Sequence, residues 1–352
     1  MWITVEDLHD FLLTCDRGEG RHPATVVAPL RDPADRDAPP LWGRPSGGGT
    51  IDLDGYRLVD PVKSFFYRFR ETVYPADGAT PRRIIAGVKA CDLRALRLLD
   101  AALLEQGFAD PGYRRWRDHT LVIAADCSDA GPTCHCTLLG DTPWPEEGFD
   151  LALARVGDHY RITVGSPRGR DLTVALRGQF PLEETPLVAH QEVEARRQTL
   201  AKTLAEANAR FRPHPEERLL DLAEMDAWAA PSEDCVGCGA CTNICPTCYC
   251  LILNDTSTEA QFRKERSIDS CQLHGYARVA GGGSPRPRMT ERFRNRYLCK
   301  FCYANGPGIA VECVGCGRCI DACPAGIDFR AVVAAMSRAA RETQPDVMEM
   351  SS

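Results

Sequence analysis

Two runs of cysteine carry the clearest chemistry in this 352-residue sequence. Cys235, Cys238, Cys241 and Cys245 follow C-x2-C-x2-C-x3-C and are closed by Pro246, and Cys313, Cys316, Cys319 and Cys323 repeat that spacing before Pro324. This is the bacterial ferredoxin spacing for cubane 4Fe–4S clusters. Three thiolates on one tight turn cap three irons of a cube. The fourth leaves on the next short helix, so it reaches the other cube. Gly237, Gly239, Gly315 and Gly317 let the backbone bend close to the sulfides and donate N–H bonds. The proline stops the helix from continuing. Cross-ligation then assigns Cys235, Cys238, Cys241 and Cys323 to one cluster, and Cys313, Cys316, Cys319 and Cys245 to the other. Zinc favours paired C-x2-C knuckles set well apart, which this fourfold run fits poorly.

The remaining cysteines divide into groups. Cys127, Cys134 and Cys136 lie in A-D-C-S-D-A-G-P-T-C-H-C, and Cys91 ends a predicted strand. A Gly131-Pro132 turn folds Cys134 and Cys136 back toward Cys127. Four thiolates at the carboxyl ends of adjacent strands converge where open α/β sheets place ligands. The favoured reading is a third 4Fe–4S cluster on Cys91, Cys127, Cys134 and Cys136. Zinc and uncoordinated buried thiols are the alternatives, and Asp92 is a conceivable replacement ligand. His135 reads as a hydrogen-bonding neighbour rather than a ligand. Cys248, Cys250 and Cys271 read as packing around a cluster or as a separate small site. Cys299 and Cys302 (C-K-F-C) read as non-ligands, and Cys15 as a free thiol on a surface helix.

The elements that must hold these residues can be read from periodicity and punctuation. Thr4 caps a helix with Val5, Leu8, Phe11 and Leu12 on one face. Residues 31–50 are rich in Pro and Gly and read as a surface loop. Residues 83–90 form a buried strand, Asp92 caps a helix stopped by Gly107, and residues 120–125 form a second strand, together a βαβ unit. Residues 151–156 and 159–164 pair as a hairpin about Gly157-Asp158. The fold class is therefore an α/β N-terminal domain over 1–182, then a helical linker over 183–230 that resumes as a short helix at 219–228. A mainly α-helical ferredoxin-like dicluster domain follows over 231–340, with a flexible tail at 341–352. The 67 residues between Cys245 and Cys313 are expected to add helices to the dicluster domain.

Composition agrees with an ordinary globular protein: 44% hydrophobic and 26% charged residues, against disorder. A net charge of -7 argues against nucleic acid as the main partner. No apolar run approaches the roughly 20 residues of a membrane span. Glu6, Asp7 and Asp10 interrupt any secretory h-region. A cytoplasmic chain is expected, and in that reducing setting grouped cysteines bind metal rather than pair. No G-x-G-x-x-G follows a strand and no P-loop, H-E-x-x-H or G-x-S-x-G occurs. The residues are equipped to pass electrons, not to bind a nucleotide or break substrate bonds.

Six stretches together carry a family resemblance: V-K-A-C-D-L-R-A-L-R-L-L-D (88–100), G-P-T-C-H-C (131–136), C-V-G-C-G-A-C-T-N-I-C-P-T-C-Y-C (235–250), D-S-C-Q (269–272), A-G-G (280–282) and C-V-G-C-G-R-C-I-D-A-C-P-A-G-I-D (313–328). The chain resembles the iron–sulfur β subunits of cytosolic NAD(P)-linked NiFe hydrogenases, the sulfhydrogenases, a family that also includes the A subunit of anaerobic sulfite reductase. The resemblance spans about residues 80–330. It implies a non-catalytic electron-transfer subunit that wires a flavin- and NAD(P)-binding subunit to the large and small subunits of a NiFe hydrogenase. A sirohaem sulfite reductase subunit is the alternative terminus. A stand-alone polysulfide or disulfide reductase is a reading of another class. One departure stands out: the family tends to show H-K-F where this chain has Cys299-Lys300-Phe301.

Overall fold

The computed structural model describes residues 1–19, 22–35, 38–74, 80–105, 107–212, 225–303 and 311–343. The N-terminal half is a sheet covered on both faces. In chain order it holds β1 (Trp2–Thr4), α1 (Val5–Asp16), β2 (Thr25–Arg31), β3 (Leu41–Gly43), β4 (Thr50–Ile51) and β5 (Arg70–Tyr74). Next come β6 (Arg83–Val88), α2 (Ala90–Leu103), α3 (Pro111–Asp118), β7 (Thr120–Ala125), β8 (Leu151–Val156) and β9 (His159–Val164). Helices α4 (Pro167–Arg177) and α5 (Leu187–Ala207) complete this half.

The main sheet runs β1-β9-β8-β7-β6-β2-β3, with β4 also on β2. Its centre, β2-β6-β7-β8, is parallel. Every residue of β6 is buried, as expected for a parallel strand with helices on both faces. One face packs Leu8, Phe11, Leu12 and Leu176. The other packs Leu93, Leu96, Leu99, Tyr113 and Trp116. The βαβ unit and the 151–164 hairpin are as expected. So is the first cap, where Thr4 Oγ1 accepts from the Asp7 amide at 3.1 Å.

Several expectations need correction. Residues 31–50 do not simply loop over the surface; β3 and β4 return to pair with β2. Asp16 anchors this return, accepting from the Ser46 amide at 3.0 Å and Arg44 Nε at 3.0 Å. Cys15, beside it, is 1% exposed and belongs to the core rather than the surface. Lys89, not Asp92, occupies the N-cap of α2, because Asp92 is committed elsewhere. The segment read as a helical linker is helical, but α5 lies against β8 with Ala189, Val193 and Leu204 buried. Of the short helix read at 219–228, residues 219–224 lie outside the described ones and 225–228 form a single 3-10 turn.

The C-terminal half contains α6 (Ala229–Ser232), α7 (Ala240–Asn243), β10 (Leu251–Ser257), β11 (Phe262–Ile268), α8 (Met289–Phe301), α9 (Arg318–Asp321) and α10 (Phe329–Thr343). The insert between the cysteine runs is only partly helical. Its first part is the β10–β11 hairpin, and β11 pairs with β5 of the N-terminal half. The buried Arg266 guanidinium fixes that pairing, donating to Glu71 Oε2 at 2.6 Å and bonding Asp110. The dicluster region is thus mixed α and β. Its core is aromatic: Trp228, Phe293, Tyr297, Phe301 and Phe329, with Tyr297 stacked on Phe329 at 4.6 Å. Of the expected tail, residues 341–343 continue α10, and 344–352 lie outside the described residues. Among the described residues no helix is long and apolar enough to cross a membrane.

Candidate metal centre

Each ferredoxin-type run folds as two positive-φ glycines followed by a four-residue helix. Gly237 and Gly239 (φ 65° and 75°) lead into α7, which carries Cys241; Gly315 and Gly317 (φ 63° and 74°) lead into α9, which carries Cys319. The second pair also serves close packing. A Cβ at Gly315 would lie 2.4 Å from Cys136 Cα, and one at Gly317 would lie 2.4 Å from the Thr133 carbonyl oxygen. No side chain fits there, so the second run is pressed directly against the N-terminal cysteine loop. The His135 amide seals the contact, donating to the Gly315 carbonyl at 2.8 Å.

Helices α7 and α9 pack on each other, which brings the fourth cysteine of each run across to the other. Cys235, Cys238, Cys241 and Cys323 line one cavity. Cys238 is the exposed one of the four. Cys245 faces the second run and acts electrostatically on Cys313, Cys316 and Cys319. A third cavity is lined by Cys91, Cys127, Cys134 and Cys136, and Cys316 also borders it. Eight of the predicted ligands thus line two cavities, and the second cysteine run lies between them, with Cys319 bordering one and Cys316 the other. Among the described residues no three Cys, His, Asp or Glu side chains converge tightly enough to hold a single ion. A cubane, which takes one thiolate at each corner iron, needs its sulfurs spread wider than the ligands of one tetrahedral zinc.

Burial works against ionisation of several of these thiols. Burial pushes Cys313 up to about 11, and Cys127 and Cys136 up to about 12. Metal coordination deprotonates a thiol outright, so Cys127, Cys136 and Cys313 become charged together with the metal. The cations around them are already in place. Arg296 is 4% exposed, and its Nε and Nη1 find no hydrogen-bond partner. Its Nη2 makes a long bond of 3.4 Å to the Cys241 carbonyl. A buried guanidinium left this way costs several kcal/mol. It lies close to Cys245, Cys319 and Cys241, where anionic clusters would balance it. Buried Lys63 donates to the carbonyls of Cys245 and Cys248 at 2.7 and 2.9 Å. The donor set and its unbalanced cations fit 4Fe–4S groups.

Other residues singled out from the sequence take defined places. His135 is buried, with Nδ1 2.9 Å from the Thr133 carbonyl and Nε2 4.0 Å from Cys313 Sγ. Asp92 is held by Arg318, so it is not free as a ligand: Nη1 and Nη2 reach its two oxygens at 3.0 and 2.7 Å. Cys248 donates to Cys245, which holds Cys245 well below the usual thiol range despite its burial. Sequence reading missed Arg296, Lys63 and the Asp92–Arg318 pair. Only Arg318 carried a signal, as a charge inside a cysteine turn.

An N-terminal α/β sheet joined to two cysteine turns defines an iron–sulfur protein of the dicluster type. The model of a 4Fe-4S dicluster domain matches residues 234–327. The sulfhydrogenase 2 subunit beta of Pyrococcus furiosus is 32% identical over 292 residues, covering 79% of this chain and 83% of the relative. The chain belongs to the family of sulfhydrogenase beta subunits and carries a 4Fe-4S dicluster domain. No solved structure matches it.

Proposed function

We propose that the chain is an electron relay holding three 4Fe–4S clusters, built on Cys235/Cys238/Cys241/Cys323, Cys313/Cys316/Cys319/Cys245 and Cys91/Cys127/Cys134/Cys136. Each cluster, when bound, carries one electron at a time. The carrying observation is the order of the three sulfur groups, with Cys316 bordering the N-terminal cavity and Cys319 bordering the cavity of Cys235. The relay runs between a flavin- and NAD(P)-binding subunit and the catalytic subunits of a NiFe hydrogenase, in a cytoplasmic complex. Family membership supports that assembly over a sulfite reductase or a stand-alone sulfur reductase.

Metal content tests the count. Anaerobically reconstituted chain should hold about 12 iron and 12 sulfide, and a triple Cys127/Cys134/Cys136→Ser variant about 8. An unchanged iron content in that variant removes the third cluster from the proposal. Co-purification with a flavoprotein and a NiFe subunit tests the assembly; a sirohaem subunit in their place would redirect it.

Arg296 makes a second expectation. A nearby cation favours the reduced, more negative cluster, so Arg296→Met should lower a midpoint potential by roughly 60 mV or more, a decade in a one-electron equilibrium. Redox titration followed by electron paramagnetic resonance measures it, and unchanged midpoints would deny Arg296 this role.

A further inference from the structure

Five cysteines of the dicluster region, Cys248, Cys250, Cys271, Cys299 and Cys302, lie outside the three ligand groups, and two of these thiols meet. Cys250 immediately precedes β10 and Cys271 follows β11 by three residues. The hairpin register pairs Leu251 with Ile268, and the Asp269 amide donates to the Cys250 carbonyl at 3.0 Å. The chain therefore brings both residues to the open end of the hairpin, where the Cys250 thiol is hydrogen-bonded to Cys271 and Tyr276 to Cys250. The Gln272 side-chain amide lies 3.8 Å from Cys271 Sγ.

We propose that Cys250 and Cys271 are a redox-active dithiol that closes to a disulfide under hydroperoxide, separate from the cluster-ligating cysteines. The nucleophile is Cys271. The hydrogen bond from Cys250 holds it down to about 7, against the opposing effect of burial, and the Gln272 amide and Arg296 add to the lowering. Its thiolate attacks one peroxide oxygen, the O–O bond breaks, and hydroxide leaves, giving a sulfenic acid at Cys271. The Cys250 sulfur then displaces that oxygen as water, with its proton, and the S–S bond forms. Two thiol sulfurs are oxidised and one peroxide is reduced to water and hydroxide. Cys271 itself is 6% exposed, while its partner Cys250 is half-buried and the neighbouring Tyr249 and Leu273 are 37% and 42% exposed, which is the side from which peroxide would enter. The closed form staples the hairpin to the segment that carries Gln272. That side chain also donates to the Arg292 carbonyl at 2.6 Å and borders the Cys235 cavity, so oxidation is felt beside a cluster.

The test uses the full-length chain with its iron loaded, under anaerobic conditions, treated with a small molar excess of hydrogen peroxide. Non-reducing peptide mapping should find a Cys250–Cys271 cross-link, reversed by dithiothreitol, formed before iron is lost. Cys271→Ser and Cys250→Ser should each abolish it, and Cys299→Ser should leave it. Peptide mapping of the unmodified chain decides the matter even where a variant folds poorly. Both thiols remaining free while iron is released would overturn the proposal. So would a Cys271–Cys299 link, or stoichiometric zinc held by these thiols in the untreated chain.

Discussion

Cys245→Ser is expected to empty the site of Cys313, Cys316 and Cys319 and to leave the Cys235 site loaded. Cys323→Ser should do the reverse. The reason is the packing of α7 on α9: each fourth cysteine follows its short helix past its own turn and arrives at the other one. Cys323 borders the cavity of Cys235, Cys238 and Cys241, and Cys245 acts on Cys313, Cys316 and Cys319. Each variant should lose about 4 iron per chain, a whole cubane, because three thiolates on an open turn hold the cluster weakly. Serine keeps the size of the side chain, so packing around buried Cys245 is little disturbed. The pattern of loss is read by iron analysis with electron paramagnetic resonance on the reduced protein. Loss of the cluster nearest in sequence would reverse the ligand assignment. Full iron in Cys245→Ser would pass the ligand role to Cys248, whose thiol lies against Cys245.

The cysteine runs were legible because their geometry is local. A turn of seven residues with glycines at fixed places has few ways to fold. The βαβ unit was legible for a similar reason: β6 and β7 are short apolar runs joined by a strongly periodic helix. What stayed hidden depends on partners far along the chain. Strand β11 reads as charged and unremarkable (Phe262–Ile268), and it becomes a strand by pairing with β10 and with β5, nearly 200 residues away. Residues 31–50 look like loop because Pro and Gly dominate them, yet Asp16 supplies the hydrogen bonds that fold them back. Asp92 stands at a plausible cap position, and local chemistry alone would leave it there. Its carboxylate instead answers a guanidinium 226 residues on.

That pair gives the second large expectation. Arg318 stands between Cys316 and Cys319, and it is 1% exposed while Asp92 is 2% exposed. Its Nε also donates to the Leu58 carbonyl at 2.8 Å, so the guanidinium joins the second cysteine turn to both α2 and the loop before β5. Arg57 reinforces the same junction from the other side, donating to the Cys316 carbonyl at 2.6 Å and pairing with Asp321. Asp92→Ala leaves the buried Arg318 charge without its counter-ion, and breaking a buried pair from one side costs about 3–5 kcal/mol. The expected result is a large fall in the urea midpoint, together with earlier release of iron from the Cys313/Cys316/Cys319 site. Replacing both partners, Asp92→Leu with Arg318→Met, should cost clearly less than Asp92→Ala, because no charge is then stranded. The midpoint compares the variants at equal iron loading, since bound metal contributes to the stability of the loaded chain. A loss below about 1 kcal/mol in Asp92→Ala would mean water reaches Arg318 and the junction is open. Equal losses in the single and double variants would mean that packing of the turn, and not the ion pair, holds the two halves of the chain together.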